Sequence, residues 1–236
     1  MAIWDIGFRK RLQQGRSHFE LDVGFSVDVQ RVVLFGPSGA GKTLTLRTIA
    51  GITQPDSGHV VVAGRTLHDT GAGIRLAPQQ RRIGYVFQDY ALFPHLTMRQ
   101  NIAFALPRLG LAPPAAEARA KAERWIEQFQ LQAVAGHFPH QVSGGQRQRA
   151  ALARALVTEP AALLLDEPFA ALDKGLRRLL RQELQQLQAT LGLPLLLITH
   201  DDEDVEQLAQ AVVQLAAGRV TGISAPQSMA CARELP

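Results

Sequence analysis

Hydrophobic periodicity divides this chain into alternating short strands and helices. Residues 19–27, Phe-Glu-Leu-Asp-Val-Gly-Phe-Ser-Val, are apolar at every second position, the period of a strand with one buried face. Residues 31–35 (Arg-Val-Val-Leu-Phe) form a short apolar strand running into Gly36, and a helix is predicted from Lys42 to Ala50, stopped by Gly51. Residues 58–67 and 82–88 read as further short strands around a loop at 69–80. Over 98–132 the composition shifts to Ala, Glu, Arg and Leu, broken by Pro107, Pro113 and Pro114, which predicts a helical insertion. A second helix is expected from Gly144 to about Thr158, and an amphipathic one over 176–190. The runs 161–165, ending in Asp166-Glu167-Pro168, and 194–199, closed by His200, are continuously apolar, as strands buried on both faces of a parallel sheet are. Strands alternating with helices predict an α/β core with a mainly parallel sheet.

Composition narrows the class. The chain has 236 residues, 46% hydrophobic and 19% charged, which fits an ordinary globular protein with one large domain or a core and a subdomain. Net charge is +4, but the arginines are scattered and no basic block appears, so no nucleic-acid partner is expected. Cys231 is the only cysteine; an intrachain disulfide is impossible and a reducing cytosol fits. No stretch approaches the roughly 20 apolar residues that span a bilayer. The N-terminal MAIWDIGFRKRLQQ lacks the apolar core of a secretory signal, so a cytoplasmic location is expected.

Candidate chemistry begins at Gly36-Pro37-Ser38-Gly39-Ala40-Gly41-Lys42-Thr43, which matches G-x-x-x-x-G-K-[ST] between a strand and a helix. In such a loop the glycines let backbone amides point at phosphates, and the helix start adds favourable dipole charge. Lys42 supplies a positive charge to the β- and γ-phosphates, and the Thr43 hydroxyl is a ligand for Mg²⁺. Asp166 closes a buried strand and is a candidate Mg²⁺ holder; Glu167 is then placed to polarise an attacking water as general base. His200 closes another strand at the edge where open α/β folds bind ligands, either as a structural residue or to reach the γ-phosphate. His95, His137 and His140 have no ligand-spaced partners, and no zinc site is assigned. Ser143-Gly144-Gly145-Gln146 offers a second set of amides at a helix start, too far along the chain to share the first pocket easily, which suggests a nucleotide held between two copies.

Together, Gly36–Thr43, Gln88, Ser143–Gln146, Asp166-Glu167, Ala171-Leu172-Asp173 and His200 resemble, in order and spacing, the phosphate loop, glutamine loop, signature, acidic strand, aspartate loop and switch histidine of the ATP-binding cassette (ABC) family. Val142 and Ala170 depart from the usual Leu and Ser that open two of these motifs. The resemblance implies a P-loop NTPase core with an N-terminal antiparallel β portion and an inserted α-helical subdomain at about 89–158, within a nucleotide-binding domain at 1–223. It also implies a head-to-tail dimer holding two ATP. Ser143, Gly144 and Gly145 of one chain close on the γ-phosphate held by the other, Asp173 runs along the interface, and Gln88 senses γ-phosphate and Mg²⁺. Members usually stack an aromatic ring on adenine. Here residues 10–18 contain none; Leu12 or Gln13 takes that place by spacing, and Phe19 reads as strand core. Weaker selectivity for ATP over GTP is the expectation.

The segment 81–97 is similar to its counterpart in bacterial importers of small solutes, where the region around Tyr90, Leu92 and Phe93 receives a helix of the membrane permease. Within that group, residues 65–69, 73–78 and 81–89 resemble the molybdate-importing subgroup. A substrate-binding protein is then an indirect partner, and the location is the cytoplasmic face of the inner membrane. That subgroup usually carries a C-terminal oxyanion-sensing domain; with only a short tail at 224–236, feedback through such a domain is expected to be absent. Importers of sulfate, polyamine, iron or sugar are the alternative, and a non-transport cassette protein is a more distant one.

Overall fold

The computed structural model describes residues 2–14, 17–106, 115–170 and 172–226. Gly15 and Arg16, the breakers Pro107, Pro113 and Pro114, Ala171, Cys231 and most of the expected tail lie outside the described residues.

The parallel core is built from five strands, β3 (Arg31–Phe35), β7 (Ile83–Val86), β8 (Ala162–Asp166), β9 (Leu195–Thr199) and β10 (Ala211–Ala216). They lie side by side in the order β10-β3-β9-β8-β7, every pairing parallel. Strands β8 and β9 are buried at every residue, which is why their sequences show continuous apolar runs. The period of two still sorts their side chains. Leu163, Leu165, Leu195 and Leu197 join one core, while Leu164, Leu196 and Ile198 join another on the opposite face. Each fully buried Leu or Ile contributes about 1.5–3 kcal/mol.

One core lies beneath the helices α2 (Met98–Ala103), α3 (Ala115–Gln128), α4 (Gly144–Leu156) and α5 (Lys174–Leu191). The other lies between the parallel strands, α1 (Lys42–Ala50) and an antiparallel portion formed by β1 (Trp4–Gln14), β2 (Ser17–Val27), β4 (Ser57–Val62), β5 (Arg65–Asp69) and β6 (Ile74–Arg75). Helix α6 (Asp202–Leu208) precedes β10, and β11 (Arg219–Ser224) pairs antiparallel with β10 and touches β2, joining the two portions into one sheet. This is the α/β, mainly parallel fold with an antiparallel β portion and a helical insertion that the sequence implied.

Three elements differ from the periodicity. The run 58–67 is two strands, β4 and β5, because Ala63 and Gly64 both take positive φ (50° and 75°) and turn the chain back on itself in a two-residue hairpin. The 69–80 loop contains β6 and a 3-10 turn at Pro78–Gln80. Strand β1 has no counterpart in the sequence reading, although Trp4, Ile6 and Phe8 alternate and are buried; it is pinned by β2 on one side and β4 on the other.

Candidate functional site

The candidate residues collect where the parallel strands end. Strand β3 runs into the phosphate loop, β8 ends in Asp166, β9 ends at Thr199 just before His200, and β7 ends two residues before Gln88. This is the edge at which open parallel sheets bind ligands. Gly36 is required by close approach: a Cβ there would overlap the Leu215 carbonyl. Gly41 caps α1 with φ of 102°, a left-handed conformation that favours glycine, with Phe19 and Leu21 packed where a Cβ would stand.

Within the loop, Lys42 Nζ donates to the carbonyls of Gly36 (2.7 Å) and Pro37 (2.9 Å). Burial pushes the Lys42 pKa down, while Glu167 and Asp166 pull it up. Thr43 Oγ1 donates to Asp166 Oδ1 at 3.0 Å, and the Tyr85 hydroxyl donates to Asp166 Oδ2 at 3.2 Å. Desolvation raises the Asp166 pKa against these two donors, and burial followed by the Asp166 charge raises that of Tyr85. Glu167 sits at φ 44°, its amide bonded to the Ile198 carbonyl, and its Oε2 lies 3.3 Å from His200 Nδ1. The His200 side chain is 66% exposed and Glu167 20%.

Two adjoining cavities flank this cluster. One, of about 420 Å³, is bordered by Leu12, Phe19, Ser38, Lys42, Gln88 and Glu167. The other, of about 550 Å³, is bordered by Thr43, Arg47, Phe87, Gln88, Asp89 and Asp166. Thr43 hydroxyl, Asp166 carboxylate and Gln88 amide are hard oxygen donors, the set that suits Mg²⁺. Among the described residues no group of three or more His, Cys, Asp or Glu gathers to hold a metal, so Mg²⁺ would take its other ligands from phosphate and water.

Phe19 packs against the core, as the strand pattern implies, and also reaches the phosphate-loop cavity. It is half-buried, faces Leu12 across the β1–β2 ladder, and both line the cavity beside the phosphate loop. Leu12 is 41% exposed.

The second set of amides stands apart. None of Ser143, Gly144, Gly145 or Gln146 borders either cavity. Ser143 is the exposed N-cap of α4: its hydroxyl accepts from the Gln146 amide (3.3 Å), and Gln146 Oε1 accepts from the Ser143 amide (2.9 Å). The Gln146 side-chain oxygen is therefore engaged in capping. Gly145 is buried against α5, where a Cβ would meet Leu176 at 2.9 Å. Asp173 likewise caps α5, accepting from the Leu176 amide at 3.0 Å.

Near Gln88 lies an apolar groove of about 400 Å³ lined by Tyr85, Phe87, Ala91, Phe93, Phe104 and Arg154. Tyr90 does not line it. That residue is 5% exposed and belongs to the core below the helices, with Arg154 donating to its carbonyl and to that of Ala91, both at 2.7 Å. Of the apolar residues expected on this surface, Phe93 faces the groove and Leu92 packs against the core.

The profile of the ABC transporter family matches residues 22–170. The chain belongs to the ABC transporter family. Among its relatives is the sulfate/thiosulfate import ATP-binding protein CysA of Caulobacter vibrioides, 44% identical over 204 residues, spanning 86% of this chain and 58% of that protein. The protein of the same name from Escherichia coli K12 is 43% identical over 218 residues, 91% of this chain and 58% of the relative. The chain thus spans less than three fifths of the length of these curated relatives. Among solved structures, a dimeric ATP-binding cassette in a post-hydrolysis state with ADP and Pi superposes with a TM-score of 0.79 at 28% identity, over 94% of this chain and 98% of that one. These relatives carry the name of a sulfate/thiosulfate importer where the sequence motifs had pointed to the molybdate-importing subgroup.

Sequence reasoning missed Tyr85 and the network behind His200. There, Thr199 Oγ1 donates to Asp204 Oδ2 and Arg181 to Asp204 Oδ1, with all three side chains buried. The acidic run after His200 is the signal that was present: Asp201 caps α6, and Asp202, Glu203 and Asp204 form its first turn.

Proposed function

We propose that this chain is the ATP-hydrolysing subunit of an importer for a small tetrahedral oxyanion, sulfate or thiosulfate ahead of molybdate. The observation that carries the reading is the division of the phosphate-binding groups. Lys42, Thr43, Gln88, Asp166 and Glu167 border two cavities that share Thr43 and Gln88, whereas the exposed Ser143 and the two glycines after it border neither. A second copy, arranged head to tail, completes each site with its own Ser143–Gly145, in keeping with the dimeric cassette to which this fold is similar.

In this site the loop amides and Lys42 hold the triphosphate of ATP, and the helix α1 start favours its negative charge. Mg²⁺, held by Thr43, Asp166 and Gln88, supplies neutralisation of phosphate charge when bound. Glu167 takes the proton of the attacking water, and His200, 3.3 Å from its carboxylate, orients that water and the γ-phosphate. Leu12 and Phe19 receive the base. The Phe93 groove docks a helical segment of the membrane permease, which keeps the chain peripheral on the cytoplasmic face. Among the described residues no helix is long and apolar enough to cross a membrane. A substrate-binding protein meets the permease, not this chain.

The cargo assignment follows the relatives' names rather than the segments that suggested molybdate, because those segments serve the fold. Arg81 caps α1, His68 is buried, and Gly84 is packed so that a Cβ would meet Leu163 at 2.9 Å. In cells lacking the gene, labelled sulfate uptake should fail and return with the wild-type chain but not with Glu167→Gln. That variant should still bind ATP while turnover falls about a hundredfold or more. Loss of molybdate uptake with sulfate uptake intact overturns the cargo; undiminished turnover overturns the base.

A further inference from the structure

Tyr85 occupies a position that the nucleotide motifs do not account for. It stands on the edge strand β7, in register with Leu164 of β8, so Asp166 lies diagonally across, within reach of a long aromatic side chain. Its hydroxyl meets Asp166 Oδ2 at 3.2 Å, while Thr43 holds Oδ1 at 3.0 Å. Tyr85 borders the apolar groove, and its ring packs against Phe87, with centroids 4.4 Å apart. Phe87 in turn borders both the groove and the cavity containing Thr43 and Asp166. One residue therefore has its hydroxyl on the carboxylate proposed to hold Mg²⁺ and also borders the groove proposed as the dock.

A carboxylate with a donor on only one oxygen can rotate about its Cβ–Cγ bond and exchange the two oxygens. A donor on each fixes the plane, with Oδ1 held toward Thr43. A segment pressing on the groove wall moves the Tyr85 ring, and the hydroxyl at its far end moves with it.

We propose that Tyr85 is a positioning residue for Asp166 and the side chain through which an occupant of the groove acts on the metal site. The second half rests on the groove being the permease dock. The test uses Mn²⁺ as probe, with free Mn²⁺ read by electron paramagnetic resonance in the presence of a non-hydrolysable ATP analogue. Tyr85→Phe keeps the ring and removes the hydroxyl, and should weaken Mn²⁺ binding about tenfold. Nucleotide binding in EDTA and the urea midpoint should stay at wild-type values, which a merely structural role would not allow. Unchanged Mn²⁺ affinity overturns the positioning role. Should Tyr85→Phe disturb the fold, the same change in an Asp166→Ala background decides: no further loss of Mn²⁺ affinity supports action through Asp166, and an additive loss overturns it. For the groove, Mn²⁺ affinity of the wild-type chain should shift on assembly with its permease, and that of Tyr85→Phe should not; equal shifts overturn the coupling. Failure of the wild-type chain to assemble with any permease sinks the docking reading alone, since the isolated chain still reports on Tyr85 and Asp166.

Discussion

At the residue scale, the cavity beside the phosphate loop sets how a nucleotide base would be recognised. Leu12 and Phe19 border the cavity with Ser38 and Gly39, and neither side chain can hydrogen-bond the edge of a purine. A site that pairs with a base edge rejects the wrong base by 10⁴ or more, whereas apolar contact discriminates by roughly a hundredfold at most. ATP and GTP should therefore be hydrolysed with kcat/KM values within about a hundredfold of each other. Phe19→Ala should raise KM for both by about tenfold, the loss of one aromatic contact. Steady-state kinetics with the two nucleotides checks this, and a strong ATP preference that survives Phe19→Ala would show that the base is read elsewhere. Phe19 was hard to assign from sequence because its strand alternates cleanly. Periodicity reports which face is buried, not that the end of a ladder opens onto a cavity.

At the scale of elements, the phosphate-loop helix depends on a residue remote from it in sequence. Arg81 is 1% exposed and donates to the carbonyls of Thr48 and Ile49 at the C-terminal end of α1 (3.0 and 2.7 Å) and to that of Leu76 (3.0 Å). Burial brings its pKa down to about 10, so it remains charged at neutral pH and complements the helix dipole. Gly51 leaves room for it, since a Cβ there would strike the guanidinium. Arg81→Leu strands the Ile49 and Leu76 carbonyls, while Thr48 keeps the Gly51 amide, and should cost about 3 kcal/mol, seen as a lowered urea midpoint; Arg81→Lys, without the fork geometry, should recover little of it. The helix itself was legible because Gly41 and Gly51 punctuate it, and so were β8 and β9, where burial on both faces writes an unbroken apolar run. The β4–β5 hairpin and β1 were not. A two-residue turn at Ala63-Gly64 sits at the end of the apolar run Val60–Val62 without the usual Asn or Asp, and β1 is a strand through its partners on both sides. Likewise the motif residues at the site could be read in order, but Tyr85 could not. Its role depends on the register between β7 and β8, which is a long-range fact.

At the scale of the whole molecule, the question is whether one chain can complete its own site. Ser143 lies at the exposed start of α4 and borders neither phosphate-loop cavity. In the two-copy arrangement proposed above, each ATP site would be a composite of one chain's Lys42 and the other's Ser143. That geometry predicts complementation between two defective chains. Lys42→Ala loses the phosphate charge, and Ser143→Arg places a bulky cation where the facing chain must close. Loss of the Ser143 cap adds only about 1 kcal/mol, so α4 should persist and nucleotide binding by the isolated variant should stay normal. Each variant alone forms only dead dimers. In a mixed dimer, one site combines both defects, while the other joins the intact loop of the Ser143→Arg chain to the intact α4 start of the Lys42→Ala chain. If the two sites turn over independently, an equal mixture should recover about a quarter of wild-type turnover, half the dimers being mixed and half their sites sound. No recovery on mixing, with mixed dimers demonstrated by differential tagging, would place all the working groups of a site within a single chain. Recovery that needs no dimer would do the same.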